Sequence, residues 1–286
     1  MITDASIQSL LKTSSKLLEN ISDSAVLDAE LLLAHCINKN RTYLHTWPEK
    51  ELNSQQLVKF QSLIDKRATD YPVAYLLGKK SFWTLELTVT PDVLIPRPET
   101  ELLVEIALGK IEDVKNPKIL DLGTGSGAIA LAIASERKDA TIIASDFSEA
   151  ALEIAKNNAV DLKLNNQVTF IKSDWLENIK EKDFDLILSN PPYIDPEDSH
   201  LSSTIRYEPY QALVADNKGM EDIETIISKS HPFLKKGGWL ILEHGFDQAK
   251  ITNQLLTKNK YIEAKRHQDL NNKWRVSIGR KIHLDL

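Results

Sequence analysis

From Thr100 onward, short apolar runs of strand length alternate with segments that repeat apolar residues at the helical period. This alternation constrains the fold more than any other feature of the chain. It predicts a helix to residue 111, a strand over 118–122, a helix over 128–136 and a strand over 141–145. A helix over 149–160, strands over 167–172 and 184–189, a helix over 223–233 and a strand over 239–243 follow. Strands joined by helical crossovers form a mostly parallel sheet covered on both faces, an α/β fold whose ligands sit at the strands' carboxyl ends.

Residues 5–70 read differently. Ile7, Leu10, Leu11, Leu17 and Leu18, then Leu27, Leu31, Leu32 and Ile37, then Leu57, Phe60, Leu63 and Ile64, recur near the helical period. A small helical bundle is expected, with Asn53 and Ser54 as helix caps and Pro48 in a connection. Between Tyr71 and Glu101, prolines at 72, 91, 96 and 98 block regular helix, and 82–90 resembles a short strand pair. The expected division is a helical domain over 1–75, a hairpin linker over 76–98 and the α/β domain over 99–286.

The net charge of -6 argues against a protein held mainly by nucleic-acid phosphates, since that attraction needs a positive surface. Neither part of the chain supplies one: residues 1–80 carry ten basic against nine acidic side chains, and the remainder is acidic. The single cysteine, Cys36, sits in an apolar helical pattern and reads as a core thiol. The first residues lack a basic segment followed by an apolar stretch, and the run 128–134 is too short to span a bilayer. A reducing cytoplasm and no membrane contact are expected. The seven histidines show no metal-ligand spacing, so no metal is assigned.

Asp121-Leu-Gly-Thr-Gly-Ser-Gly127 places three alternating glycines between a strand and an apolar helix, where backbone can approach a ligand closely. The nearest general template is the dinucleotide fingerprint, and Asp146, at the next strand end, suits its ribose-binding carboxylate. The glycine spacing departs from that template, and Asp121 stands just before the loop. A fixed negative charge there would repel a pyrophosphate but attract the ammonium of a methionine moiety. The loop, with Gly123, Thr124, Gly125, Ser126 and Gly127, therefore suits S-adenosyl-L-methionine better than NAD. Asp174 and Trp175 end the following strand, where a polar atom and an apolar ring surface could meet an adenine.

A fourth strand ends in Ser189-Asn-Pro-Pro-Tyr-Ile194. With a methyl donor bound, the Asn190 side chain and the Pro191 carbonyl could each accept a hydrogen from one planar NH2 group and aim its nitrogen at the methyl. Pro191 and Pro192 hold that carbonyl in place at little entropic cost, and Tyr193 could lie against the flat face of an amide or base. Asn190 to Tyr193 are thus the candidate catalytic clamp.

At these residues the chain resembles the HemK/PrmC family of protein-(glutamine-N5) methyltransferases, which modify peptide-chain release factors. The resemblance extends over nearly the whole chain, through Pro72-Val-Ala-Tyr-Leu-Leu-Gly78, Leu94-Ile-Pro-Arg-Pro-Glu-Thr-Glu101, Tyr207-Glu-Pro209 and Glu243-His-Gly245. It implies a seven-stranded, Rossmann-like class I methyltransferase sheet preceded by a small helical bundle and a hairpin. It also implies a glutamine substrate in the Gly-Gly-Gln loop of class I release factors. Carried over by position, the cofactor contacts fall on Gly123 to Gly127, Asp146, Trp175 and Asn190. A monomer without direct nucleic-acid contact is expected. Asp269-Leu-Asn-Asn-Lys-Trp-Arg275 departs from the family's pattern by lacking its glycine. The alternative readings are a glutamine methyltransferase of a ribosomal protein, an amino-group methyltransferase acting on a nucleic-acid base, and a binding module that kept the fold without the activity.

Overall fold

The structure, a computed structural model, describes residues 5–198, 201 and 204–282. The chain forms two compact units, one of Met1–Lys79 with Ser202–Tyr207 and one of Lys80–Leu201 with Glu208–Leu286.

The first unit is helical. Helices α1 (Ile7–Leu18), α2 (Ala25–Ile37), α3 (Arg41–Thr46), α4 (Ser54–Arg67) and α5 (Val73–Leu77) bury Leu10, Leu18, Leu32, Leu33, Leu44, Phe60 and Ile64 in one cluster. Asn53 caps α4 in a reciprocal capping box with Gln56, satisfying two backbone donors that would otherwise lack partners, whereas Ser54 is the first helical residue. Cys36 is buried and unpaired. Asp28 and Arg67, both buried, meet at 2.8 Å, so each charge enters the bundle with its partner.

The second unit opens with a two-stranded sheet, β1 (Lys79–Phe82) and β2 (Leu85–Thr88), and helix α6 (Glu101–Lys110). Strands β3 (Lys118–Leu122), β4 (Thr141–Asp146), β5 (Val168–Lys172), β6 (Phe184–Ser189), β7 (Leu234–Glu243), β8 (Tyr261–Gln268) and β9 (Trp274–Lys281) then form a seven-stranded sheet ordered β5-β4-β3-β6-β7-β9-β8. Helices α7 (Ala128–Glu136), α8 (Glu149–Asp161), α9 (Glu221–Ser230) and α10 (Ala249–Lys258) complete the fold. β3 through β7 pair in parallel, while β9 runs antiparallel between β7 and β8.

Alternation along the strands divides the core between the two faces. Ile119, Ile142, Leu186, Leu188 and Ile241 join α6 and α7 in one apolar cluster. Their neighbours Leu120, Ile143, Ile187, Leu240 and Leu242 join α9 in another.

Past β8 the missing glycine proves unnecessary. Asn272 takes the left-handed conformation at φ 58°, which a short polar side chain tolerates. Asp269 Oδ1 accepts from the Asn271 and Lys273 N–H groups, and Arg275 binds Oδ2, so the turn closes. Among the described residues no helix is long and apolar enough to cross a membrane.

Candidate active site

Strand register builds the site. Leu122 lies opposite Ser145 on one side and Ser189 on the other, and Ser189 lies opposite Leu242. The residues that follow these four, Gly123, Asp146, Asn190 and Glu243, therefore leave the sheet in one row at its carboxyl edge. Ser189 tightens the row by donating to the Leu122 carbonyl at 2.8 Å.

Above this edge lies a cavity of about 280 Å³. Of the residues expected from sequence, Gly123, Gly125, Asp146, Asp174, Trp175, Asn190 and Pro192 line it. Asp121, Thr124, Ser126, Gly127 and Pro191 are buried and Tyr193 is half-buried, and none of the six is among the lining residues. Gly123, Gly125 and Gly127 all have positive φ, and a Cβ on Gly125 would meet nothing, so backbone is laid bare to the cavity there.

The acidic residues are held by their own loop. Asp146 accepts from the Gly125 N–H and the Ser148 N–H, both at 2.9 Å. Burial raises its pKa and these donors pull it back. Asp121 is fully buried: Oδ2 accepts from the Thr124 hydroxyl at 2.6 Å, while Oδ1 has no partner. Desolvation pushes this carboxyl up to about 7, against the Thr124 hydrogen bond. Trp175, at φ 42°, turns its indole across Gly123 and donates Nε1–H to Asp222 at 3.0 Å, and Asp222 also lines the cavity. Asp174 is exposed at the rim.

Ser126, behind the loop, is anchored by the buried Asn158, whose Nδ2 donates to the Ser126 and Thr88 carbonyls. This ties the glycine loop to β2.

The clamp loop is held from several sides. Asn190 donates Nδ2–H to the Thr100 hydroxyl at 3.2 Å, which leaves Oδ1 as its acceptor for the cavity. Tyr193 departs from the stacking role expected of it. Its ring is half-buried and off the cavity lining, and its hydroxyl donates to Glu243 Oε1 at 3.4 Å. The Tyr193 N–H bonds the Leu213 carbonyl, and its own carbonyl accepts from Gln248 Nε2 at 2.9 Å. Glu208 braces the opposite flank by binding the Arg97 guanidinium and the Ile95 N–H. His244, beside Glu243, is drawn down to about 4 by burial and is neutral at neutral pH, and both its ring nitrogens are engaged, so neither is available to take a substrate proton.

Sequence reasoning gave no role to Thr100, Glu243, Gln248 or Gly219. Thr100 and Glu243 sit in segments that carried the family resemblance, and the edge register was the signal that could have placed Glu243.

The donor set fits S-adenosyl-L-methionine. A bare glycine backbone, the Asp146 carboxylate at the end of β4 and the Trp175 indole surface stand around the cavity, while Asp121 lies behind the loop with a buried, unpartnered oxygen.

Comparison with known proteins agrees. Residues 9–78 match the PrmC N-terminal domain, and residues 98–215 match the methyltransferase small domain. The release factor glutamine methyltransferase of Aliivibrio fischeri is 46% identical over 96% of this chain and 97% of its own. That of Coxiella burnetii is 43% identical over 96% and 99%. In fold, the chain is similar to a Pyrococcus furiosus methyltransferase, with a TM-score of 0.51 at 18% identity, covering 78% of this chain and 98% of the other. It is also similar to a 16S rRNA N2 methyltransferase of T. thermophilus in complex with AdoMet and guanosine, with a TM-score of 0.53 at 20% identity, covering 71% and 49%. With nearly half of its residues shared across almost its full length, the chain belongs to the release factor glutamine methyltransferase family.

Proposed function

We propose that this S-adenosyl-L-methionine-dependent methyltransferase methylates the side-chain amide nitrogen of the glutamine in the Gly-Gly-Gln loop of a class I release factor. The observation that carries this reading is the direction of the Asn190 carboxamide. Its N–H is spent on Thr100, so the group it offers to the cavity is an acceptor, which is what a substrate NH2 requires. Partner recognition belongs to the helical residues 1–75, because a clamp this small can read little beyond an amide. The protein works in the cytoplasm as a monomer, without direct nucleic-acid contact.

The cofactor supplies an electrophilic methyl on a sulfonium sulfur. Asn190 Oδ1 and the Pro191 carbonyl accept the two hydrogens of the substrate amide and turn its nitrogen toward that methyl. An amide nitrogen is a poor nucleophile, and alignment of this kind can contribute about 7–11 kcal/mol. As the new C–N bond forms, the nitrogen becomes acidic, and its surplus proton leaves to water or to the clamp carbonyls.

Mass spectrometry of a release factor incubated with the protein and cofactor should show a single added methyl on the Gly-Gly-Gln glutamine. An unmodified glutamine, with cofactor demonstrably bound, would overturn the proposal.

Asp121 makes cofactor binding depend on pH. Its carboxyl, behind the glycine loop, sits at about 7 in the ligand-free protein, and the field of an ammonium bound on the cavity side of that loop favours the ionised form. Binding therefore expels a proton once the pH is below that value. Cofactor affinity should weaken between about pH 7 and about pH 5, by up to about tenfold per pH unit, and Asp121→Asn should flatten the dependence. Calorimetry that found the same affinity at both pH values would remove Asp121 from the ammonium site.

A further inference from the structure

Asp222 has no part in the function described above, yet it lines the cavity and holds another lining residue by a hydrogen bond. The residue it holds is Trp175, which leaves the end of β5 at φ 42°. A left-handed backbone is costly for a bulky aromatic residue and persists only where the surroundings fix it. Two contacts fix the indole here. Its Cζ3 and Cη2 atoms lie 3.4 and 3.7 Å from a Cβ placed on Gly123, so the six-membered ring covers the glycine. From the five-membered ring, Nε1–H donates to Asp222 Oδ1 at 3.0 Å.

The anchor belongs to the packed body of the domain. Asp222 stands in the first turn of α9, one residue before Ile223. Ile223, Ile226 and Ile227 are buried with Leu120, Leu240 and Leu242 of the sheet, and the Trp175 ring packs against the same cluster. A carboxylate in the first turn is favoured by the helix's N-terminal partial charge. An indole nitrogen only donates, so the place of its acceptor decides how the ring is turned. We propose that Asp222 is a positioning residue for the cofactor: it locks the Trp175 indole across Gly123 and so presets the apolar wall on which the adenine packs. A wall already in place when the cofactor arrives needs no ordering on binding, and affinity rises accordingly.

The inference rests on the reading of this wall as the adenine's, and the experiment separates the two. Calorimetry measures the affinity of the full chain for S-adenosyl-L-methionine and for its demethylated product, S-adenosylhomocysteine. The variants are Trp175→Ala, Trp175→Phe, Asp222→Ala, Asp222→Asn and Trp175→Phe combined with Asp222→Ala. Asp222→Ala should weaken both ligands alike by about tenfold, because both carry the same adenine. Asp222→Asn keeps an acceptor and should stay within about threefold of native. Trp175→Phe keeps a ring but loses the N–H, so adding Asp222→Ala to it should weaken binding by less than about twofold more. In the ligand-free protein, the Trp175 indole N–H followed by NMR should exchange slowly with water, and fast once Asp222 is Ala.

Native affinity in Asp222→Ala, beside a Trp175→Ala protein that binds weakly, overturns the lock and leaves the wall standing. Additive losses at the two positions also overturn it, because Asp222 would then act on the ligand directly. So does an Asp222→Asn protein as weak as Asp222→Ala, or a loss confined to S-adenosyl-L-methionine, since either reports the carboxylate's charge and not its hydrogen bond. Rapid exchange of the indole N–H in the native protein overturns it as well. Native affinity in Trp175→Ala removes the wall and the lock together. Should Asp222→Ala fail to fold, Trp175→Phe decides in its place, and native affinity there overturns the lock.

Discussion

Asn190→Ala should lose at least about 100-fold in methyl transfer while its affinity for S-adenosyl-L-methionine falls by less than about tenfold. The asymmetry follows from where Asn190 stands. In the function proposed above, the cofactor side of the cavity keeps the glycine backbone, Asp146 and the Trp175 ring when the carboxamide is removed. The substrate side loses the acceptor that orients the nitrogen, and a buried amide hydrogen left without a partner costs about 1–3 kcal/mol. Loss of alignment adds to this, since a small misplacement of the reacting atoms costs about another 100-fold. Rapid-quench measurement of transfer, with calorimetry for cofactor, separates the two effects. Full turnover by the variant would mean that the glutamine is held elsewhere.

The parts of this site that could be read from sequence are those whose chemistry is local. The glycine loop, Asp146 and the Asn-Pro-Pro-Tyr segment each sit at the end of an apolar run, and a parallel sheet brings strand ends together whatever their order. Asp121 was legible as an acidic residue beside the loop, though not as one set behind it. The residues missed act only through tertiary contact. Thr100 meets Asn190 across 90 positions. Gln248 meets the Tyr193 carbonyl across 55, and nothing in either local pattern marks the contact. Tyr193 shows the limit from the other side. Its aromatic ring suggested stacking on a substrate, but a buried carboxylate nearby gave its hydroxyl a partner off the cavity wall.

The same division holds for the fold. The parallel strands β3 to β6 are short and apolar, and their periodicity locates them. β7 begins five residues before the expected strand because Lys235, Lys236, Gly237 and Gly238 carry no apolar signal, and Gly237 adopts φ 79°. β8 is charged and mostly exposed at the sheet's edge, where alternation is weak and Lys265 and Arg266 guard against edge-to-edge pairing, so its residues do not announce a strand. Only the family resemblance supplied the count of seven.

Gly219→Ala should disable the protein through the clamp loop, although Gly219 touches neither cofactor nor substrate in the function proposed above. Asn217, Lys218 and Gly219 all have positive φ, at 54°, 57° and 75°, and turn the chain tightly against Tyr193. A Cβ on Gly219 would lie 2.0 Å from the Tyr193 carbonyl oxygen, 2.6 Å from its carbonyl carbon and 2.8 Å from Gln248 Nε2. No rotamer relieves a clash with backbone, so either the turn or the loop must move. The loop is already fixed by the Leu213 carbonyl at one end and Gln248 at the other. Left-handed strain of about 1–2 kcal/mol and overpacking of about 1–3 kcal/mol together predict a destabilisation of about 2–5 kcal/mol. Whatever folded protein remains should transfer methyl at least about 100-fold more slowly, because displacing Tyr193 displaces Asn190 three residues earlier. Gly109→Ala is the control. Gly109 lies in α6 with open space at its Cβ, and the substitution should stabilise by about 0.5–1 kcal/mol. Thermal unfolding and single-turnover rates of the two variants decide the matter, and a Gly219→Ala protein with native melting temperature and native rate would show that the clamp loop is not held by this contact.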